Sequence, residues 1–352
     1  MKKIKTALIG PFSPPNNGDG IKNDYLKDGF DAMLSHPIEC VDTIYRGQGR
    51  LRFVWRLLSL MMRSDQVVIS LNKYGRILII PFFAILKLVT RKRAVLFVIG
   101  GSFDQQLQDH PWIFRRLFVW AINRLDGVLA ESYRLNNGLM QVGVVNSAVI
   151  YNPRKDTGHR WHLIEDVRNK IVFVSRVTAS KGIFDLMDAV LSIHHNQQRS
   201  LVLHVFGHVD PSCEAEFNHR IASHPNLFVY GGVLAPQDVQ ETLSHFHLLA
   251  LPTFHYGEGL PGVLVEAGFA GIPMVMTRFN SLDEYFTDGE SACFVECRDV
   301  DELARKISLL LADDELTIRI AHGGQQITAP FHLQRVMNDV KLYLLSKGWE
   351  LN

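Results

Sequence analysis

Pro252–Pro273 reads PTFHYGEGLPGVLVEAGFAGIP and comes directly after the apolar run Leu248–Leu251. The apolar run predicts a buried strand, and the proline and glycines that follow predict a loop leading into a helix near Pro261. Proline suits the first helical turn, because the N–H that it lacks would be unpaired there. Strands and helices alternate in the same way along residues 170–312, as a parallel sheet requires. We therefore expect a doubly wound α/β fold.

The start of the helix near Pro261 is a predicted anion site. The glycines of GEGLPG leave backbone N–H groups open at a helix N-terminus, where phosphate binds well. Glu258 precedes the helix, and Glu266 lies about 7–8 Å of helical rise beyond Pro261. Carboxylates accept strong hydrogen bonds from hydroxyls, so the two would suit the sugar and the ribose of a nucleotide-sugar. The alternative is that Glu258 only complements the helix dipole and Glu266 is a solvated helix residue.

The same segment carries a family resemblance. GEGLPGVLVEAGFAGIPMV resembles the E-x7-E signature of family 4 glycosyltransferases, and the downstream DEYFTDGESACFV is similar to that family as well. The resemblance implies a retaining enzyme of the GT-B fold, with two Rossmann-like domains facing a central cleft. We expect an acceptor-side domain at 1–155, a nucleotide-sugar-binding domain at 156–330, and a last helix at 331–352 that crosses back to the first domain.

Two cations follow the predicted strand Lys170–Ser175. Arg176 and Lys181 fall in the loop after this strand, where ligands bind in open α/β sheets. A guanidinium fork and an ammonium point charge both suit a departing diphosphate. By themselves such cations are usually solvated, but beside the E-x7-E signature they resemble the phosphate-binding element of the family.

We expect this chain to transfer a sugar from a nucleotide-sugar donor to an acceptor hydroxyl. The resemblance implies retention at the anomeric carbon. Neither a metal nor another cofactor is expected, because two cations and a helix start can neutralise the phosphates. A nucleotide-sugar epimerase or hydrolase, and a non-catalytic nucleotide-sugar-binding partner in a polysaccharide assembly complex, remain alternatives.

The residues predicted to form the site come from both halves of the chain. The catalytic residues implied by the resemblance are Arg176, Lys181 and Glu258. The donor-binding residues are Gly18, Gly20, Gly259, Leu260, Pro261, Gly262 and Glu266. The first two glycines fall in a predicted loop after the first strand, and Ile99 stands where the resemblance implies a histidine that reaches the donor sugar.

The charge is distributed unevenly along the 352 residues, a length that allows two domains. The net charge is only +1, but residues 1–155 contain 22 Lys and Arg against 11 Asp and Glu, and residues 156–352 contain 15 against 25. Such a division indicates that the first half faces an anionic partner. Nucleic acid is not expected, because no recognisable binding motif accompanies the basic residues.

Three segments of the basic half mix arginines with aromatic and aliphatic residues, at 50–63, 77–89 and 112–124. They predict amphipathic helices packed on a parallel sheet with solvated arginines. The alternative adds an outer face that rests on an anionic membrane, as interfacial helices do. The 13 residues of 77–89, which are almost all apolar but include Lys87, are too few to span a bilayer. This alternative favours a lipid-linked or surface-polysaccharide acceptor.

The cysteines and the N-terminus indicate the compartment. Four cysteines are too few for a disulfide scaffold, and Cys293 and Cys297 have no second pair that would complete a zinc site. The opening MKKIKTALIGPF has a positive flank, but its apolar stretch is shorter than that of a secretory signal. We therefore expect a cytoplasmic protein, peripheral on the inner face of the cell membrane.

Overall fold

The chain divides into two compact units in a computed structural model that describes residues 4–14, 18–44, 49–197 and 201–351. The first unit comprises the described residues of Met1–Arg154 and Phe331–Asn352, and the second comprises those of Lys155–Pro330. Each unit contains a six-stranded sheet whose strands all pair in parallel. The predicted fold class of two doubly wound α/β domains is confirmed.

The first sheet has the strand order β2-β1-β3-β4-β5-β6. Its strands are β1 (Thr6–Gly10), β2 (Glu39–Asp42), β3 (Gln66–Ile69), β4 (Arg93–Phe97), β5 (Gly127–Ala130) and β6 (Ser147–Val149). The central strands read as nearly unbroken apolar runs because helices cover both faces of a parallel sheet.

The helices of the first unit form two layers, one on each face of the sheet. They are α1 (Gly18–Met33), α2 (Arg50–Arg63), α3 (Lys73–Val89), α4 (Phe103–Gln108), α5 (Trp112–Ile122) and α6 (Tyr133–Gln141). Buried residues of α2 to α6 pack against the side of the sheet that Ile9 and Leu96 face. Leu8 and Val95 face the opposite side, where α1 packs, because successive strand residues point to opposite faces.

Two expectations for the first half of the chain, its basic helices and its first loop, have different outcomes. The three basic and apolar segments do form helices, α2, α3 and α5. The loop predicted around Gly18 and Gly20 is wrong, since these residues are the first and third residues of α1. Gly18, Asp19 and Gly20 are residue types that are common in turns, so the first turn of α1 was interpreted as a loop.

The second sheet has the strand order β12-β11-β10-β7-β8-β9. Its strands are β7 (Lys170–Val174), β8 (Val202–Phe206), β9 (Phe228–Tyr230), β10 (Leu248–Leu251), β11 (Met274–Thr277) and β12 (Cys293–Val295). The helices are α7 (Ile183–Gln197), α8 (Glu214–Ser223), α9 (Val239–Leu243), α10 (Gly262–Ala270), α11 (Leu282–Tyr285), α12 (Val300–Ala312) and α13 (Asp314–Thr328). Elements α11, β12 and α13 were not predicted from the sequence.

The segment 154–169, which leads from the first unit to β7, is packed on the second unit near Trp161. The side chain of Trp161 is buried, and its backbone N donates to the carbonyl of Ala270 at 2.8 Å. The indole Nε1 donates to the carbonyl of Phe246, also at 2.8 Å. These bonds fix the segment against the ends of α9 and α10.

The last helix, α14 (Leu333–Ser346), packs in the first unit beside α1. Phe331 leads into it and stacks on Tyr151 with ring centroids 4.5 Å apart. Backbone bonds of 2.8 and 2.9 Å join Arg154 to Leu333 and Phe331. Among the described residues, no helix is both long and apolar enough to cross a bilayer.

We expect Leu344→Ala to lower the free energy of unfolding of the first unit by about 2–5 kcal/mol, because this side chain is 0% exposed between α14 and the sheet. Leu342→Ala is the matched control on the same helix, since Leu342 is 67% exposed, and it should change stability by less than about 0.5 kcal/mol. Urea unfolding followed by tryptophan fluorescence measures both. Equal losses for the two variants would contradict this packing of α14.

Candidate functional site

The candidate site lies at the carboxyl ends of the neighbouring strands β7 and β10. From β7 the chain builds the sheet outward through β8 and β9, and then returns to place β10 on the other side of β7. This reversal is a topological switch point, where the loops after the two strands diverge and leave a crevice for ligand. The loops that meet there are residues 175–182 and 252–261.

A buried ion pair joins the two loops. The ammonium of Lys181 contacts Glu258 Oε2, and the side chains of the pair are only 8% and 13% exposed. Thr253 Oγ1 donates to the same carboxylate oxygen at 3.1 Å. Asn280, from the loop after β11, donates through Nδ2 to the carbonyl of Glu258 at 2.9 Å. Glu258 is therefore held within its own loop by Thr253 and by two distant loops, through Lys181 at its carboxylate and Asn280 at its backbone.

Burial is the main influence on Lys181. It lowers the pKa of the ammonium below its usual 10.5, the negative charge of Glu258 opposes this shift, and the positive charge of Arg176 adds to it. Arg176 itself is exposed. Both cations lie in the loop between β7 and α7.

His255 extends the polar network. Its Nδ1 lies 3.1 Å from Ser180 Oγ, which in turn lies 3.3 Å from Thr178 Oγ1. Burial lowers the pKa of His255 below 6.5, and the positive charges of Lys181 and Arg176 lower it further against the opposing charge of Glu258. The imidazole is therefore neutral at pH 7, and it can donate or accept one hydrogen bond at each nitrogen.

The backbones of the two loops also touch. Phe254 N donates to the carbonyl of Ser180 at 2.8 Å. Gly182 has a φ of +78°, and a Cβ added to it would lie 2.0 Å from the carbonyl oxygen of Pro252. Only glycine fits both the left-handed conformation and this close approach. The contact sets the distance between the loop that carries the cations and the loop that carries Glu258.

The helix α10 follows directly, with Pro261 as its N-cap and Gly262 as its first residue. Glu266 is 9% exposed in the second turn of this helix. The alternative that Glu266 is a solvated helix residue is therefore wrong. Gly259 and Leu260 connect Glu258 to the cap, and this connection brings the helix start beside the ion pair.

The two remaining predicted donor residues, Gly18 and Gly20, belong to the first unit. A Cβ on Gly18 would meet no heavy atom within 4 Å, so no close backbone approach among the described residues requires glycine there. Their assignment to the donor stays a prediction.

Sequence reasoning missed Ser180, Thr253 and Asn280. All three follow or flank the carboxyl ends of central strands, which is the signal that selected Arg176 and Lys181. Asn280 also has a φ of +52°, an uncommon conformation outside glycine. Applying the strand-end rule to β11 as well as to β7 and β10 would have found it.

The first unit has a buried charged cluster of its own at the carboxyl edge of its sheet. Lys22 Nζ donates to the carbonyl of Val98 at 2.7 Å and pairs with Glu131 at 3.4 Å. The buried guanidinium of Arg76 donates to the carbonyl of Ile99 at 3.2 Å and lies 4.1 Å from the ring centroid of Phe103. These bonds fix the end of β4. Within the described residues, no group of three or more His, Cys, Asp or Glu is placed to hold a metal ion.

The family match to known proteins falls within the second unit. Residues 168–313 match the family described as "Glycosyl transferases group 1". The capsular polysaccharide biosynthesis glycosyltransferase CapM of Staphylococcus aureus is 21% identical over 213 residues, which are 60% of this chain and 50% of that protein. An N,N'-diacetylbacillosaminyl-diphospho-undecaprenol alpha-1,3-N-acetylgalactosaminyltransferase of Campylobacter jejuni is 25% identical over 46% of this chain and 40% of its own length. The chain thus spans about half of the length of these curated relatives, or less.

A solved structure supports the fold of the whole chain. The structure of HepE from Anabaena in complex with UDP-glucose superposes on this chain with a TM-score of 0.77 and 18% sequence identity. The match covers 97% of this chain and 99% of the HepE chain. This likeness confirms the GT-B fold predicted from the sequence.

We expect Gly182→Ala to lower the free energy of unfolding by about 2 kcal/mol more than Gly158→Ala does. Both residues have a positive φ, +78° and +86°, so both variants carry a similar backbone strain. An added Cβ meets Pro252 only at position 182, whereas nothing lies within 4 Å at position 158. Thermal unfolding of the two variants measures the difference. Similar melting temperatures would show that the two loops do not need this contact.

Proposed function

We propose that this chain, whose residues 168–313 match the group 1 glycosyl transferases, transfers a sugar from a nucleotide-sugar donor to an acceptor hydroxyl. The observation that carries the proposal is the buried contact between Lys181 and Glu258 at the β7–β10 switch point. It brings a cation and a carboxylate together shortly before the N-terminus of α10. A diphosphate with a sugar attached needs this combination of groups.

The cations would act on the leaving group. Negative charge develops on the diphosphate as the bond to the anomeric carbon breaks. Arg176, Lys181 and the backbone N–H groups of Gly259, Leu260 and Gly262 would therefore stabilise the transition state more than the ground state. Lys181 has Glu258 as its counterion before donor binds. When the diphosphate arrives, the ammonium gains a second anionic partner and Glu258 gains the sugar hydroxyls.

The carboxylates would orient the donor. Glu258 Oε2 is held by Thr253 and Lys181, so the carboxylate has a fixed position from which to accept hydrogen bonds from the sugar. Glu266 would accept hydrogen bonds from the ribose, as the family resemblance implies. Gly18 and Gly20, at the start of α1, are proposed to approach the donor phosphates.

The reaction would proceed with retention and without a metal, as in the family that the chain resembles. The bond from the anomeric carbon to the diphosphate oxygen breaks, and the acceptor oxygen forms its bond on the same face of the sugar. The proton of the acceptor hydroxyl passes to the leaving phosphate. The two cations take the place of a metal as the neutralising charge.

We propose a lipid-linked or surface-polysaccharide precursor as the acceptor. The names of the Staphylococcus and Campylobacter relatives, which refer to capsular polysaccharide and to a diphospho-undecaprenol acceptor, support this class. The excess of basic residues in the first half supports an anionic membrane as the surface where such an acceptor is met. The UDP-glucose bound to HepE supports a nucleoside-diphosphate sugar as the donor class.

We expect Glu258→Ala to reduce kcat by about 10²–10³, because a contact made in the transition state is lost. Arg305→Ala is the control, an exposed cation on α12 outside the site, and should keep wild-type kcat. The measurement is release of nucleoside diphosphate from the donor with and without acceptor. Turnover that acceptor does not accelerate would favour an epimerase or hydrolase, and binding without turnover would favour a non-catalytic partner.

We expect the preferred nucleotide-sugar to raise the melting temperature, since a ligand present at 100 times its Kd stabilises the folded state by about 2.7 kcal/mol. Lys181→Met should abolish this shift because the phosphates lose a cation, whereas Arg305→Ala should retain it. A thermal screen of nucleotide-sugars in EDTA measures both effects. A shift that appears only after divalent metal is added would contradict the metal-independent site.

A further inference from the structure

The outer surface of α2, α3 and α5 is unusual because large apolar side chains and arginines share it. The inner surfaces of all three helices pack in one core on the same face of the first sheet. Helices α3 and α5 pack on each other. Lys92, just after α3, donates to the carbonyl of Met62 at the end of α2 at 2.7 Å. The three outward surfaces thus belong to one layer, which we call the basic–apolar face.

Apolar side chains on this face are exposed at helical spacing, so they form stripes. On α3 the stripe runs from Tyr74 through Leu78, which is 74% exposed, to Val89. The exposed apolar residues of the face are Val54, Trp55, Leu58, Met62, Tyr74, Leu78, Phe82, Ile85, Leu88, Val89, Trp112, Ile113, Leu117 and Trp120. A contiguous apolar surface of this kind on a folded unit marks an interaction site.

The tryptophans distinguish this face from the rest of the chain. Five are present in the sequence. Trp161 and Trp349 are buried, whereas Trp55, Trp112 and Trp120 are exposed on α2 and α5. Tryptophan concentrates at membrane–water interfaces because its ring is apolar and its N–H is polar.

The charge of the face has one sign. None of the three helices contains an acidic residue. The exposed cations on the helices and at their ends are Arg52, Arg56, Arg63, Lys73, Arg91, Arg116 and Arg124. Of these, Arg63 is paired with Glu39. Arg124 also lies over the Trp120 ring at 5.1 Å, which puts a cation and an interfacial aromatic group side by side.

We propose that the basic–apolar face docks on an anionic lipid bilayer, with the three helices lying in the interface. Basic and aromatic residues on one face of a helix are the composition of helices that bind in the headgroup region. Each Lys or Arg near an anionic leaflet strengthens attachment, and the apolar side chains add burial in the acyl boundary.

The alternative occupant is a second copy of the chain. Two-fold dimers bring the same patch of both copies together, so the arginines of one copy would face the arginines of the other. Like charges in a closed interface are unfavourable, whereas lipid phosphates complement them. The sign of the charge therefore favours the bilayer.

The first experiment is flotation of the full-length protein with vesicles of phosphatidylcholine, alone or mixed with phosphatidylglycerol. We expect binding to the mixed vesicles that weakens at high salt, and little binding to phosphatidylcholine alone. A blue shift of tryptophan emission on binding, with quenching by brominated lipid, should accompany flotation because Trp55, Trp112 and Trp120 enter the interface. No flotation with anionic vesicles, or equal flotation with both compositions, would overturn the proposal.

Matched variants locate the surface. The double variant Leu78→Glu with Leu117→Glu should reduce vesicle binding by about tenfold or more, because two apolar contacts become charges of the wrong sign. Arg116→Ala should reduce it about fivefold. The controls lie on α14, which packs against the opposite face of the sheet: Leu342→Glu and Lys341→Ala should bind like the wild type. A loss in the controls equal to that in the face variants would also overturn the proposal.

Two further measurements complete the test. Circular dichroism melting shows whether each variant folds, and all substituted side chains are exposed, so we expect melting temperatures like that of the wild type. Size-exclusion chromatography detects a second copy. A dimer that Leu78→Glu with Leu117→Glu dissociates, without any flotation, would assign the face to self-association instead.

Vesicle binding is measured without donor or acceptor, so its outcome is independent of the proposed transferase activity. A chain that floats but turns over no nucleotide-sugar would retain the docking face and lose the proposed function. A chain that transfers sugar but does not float would retain the proposed function and lose the docking face.

Discussion

The contact between Lys181 and Glu258 is the interaction on which the candidate site depends. Removing two charges from water costs several kcal/mol for each ion, and their mutual attraction offsets this only with good geometry and further hydrogen bonds. Thr253 supplies one such bond to the carboxylate, and Asn280 holds the backbone of Glu258. A buried pair of this kind contributes little to stability by comparison with apolar residues of similar size. Its retention at a strand-end crevice is better explained by what the two charges can bind.

The sequence predicted those features that arise from local patterns. Strands buried on both faces appear as apolar runs, so the order of strands and helices around β7, β8 and β10 could be deduced without coordinates. The E-x7-E segment was found through its family resemblance, and the two cations were selected because they follow a strand end and resemble the phosphate-binding element of the same family. The approach of Lys181 to Glu258 depends on the strand order, which places β10 beside β7 and was not predicted.

Features that depend on distant contacts could not be deduced. The bond from Asn280 to Glu258 joins the loop after β11 to the loop after β10, and no local sequence pattern predicts it. The burial of Glu266 depends on how α10 packs in the second unit, so a solvated and a buried glutamate look the same in sequence. The start of α1 was misplaced because Gly18 and Gly20 are common in loops as well as in first helical turns. The contact that needs glycine at 182 likewise requires coordinates.

The loop after β7 is fixed on both sides by glycine, and this arrangement bears on catalysis. Toward β10, Gly182 approaches the carbonyl of Pro252, and toward β8, Gly207 has a φ of +137° and a Cβ added there would lie 1.8 Å from the carbonyl of Ser175. Two backbone contacts therefore define where the segment between them, with Arg176 and Lys181, can lie. Charges held by the backbone before ligand arrives need no reorganisation when the diphosphate departs, and such preorganised charges stabilise a transition state most effectively. The close-packed glycines thus connect the fold of the second unit directly to the chemistry that we propose for it.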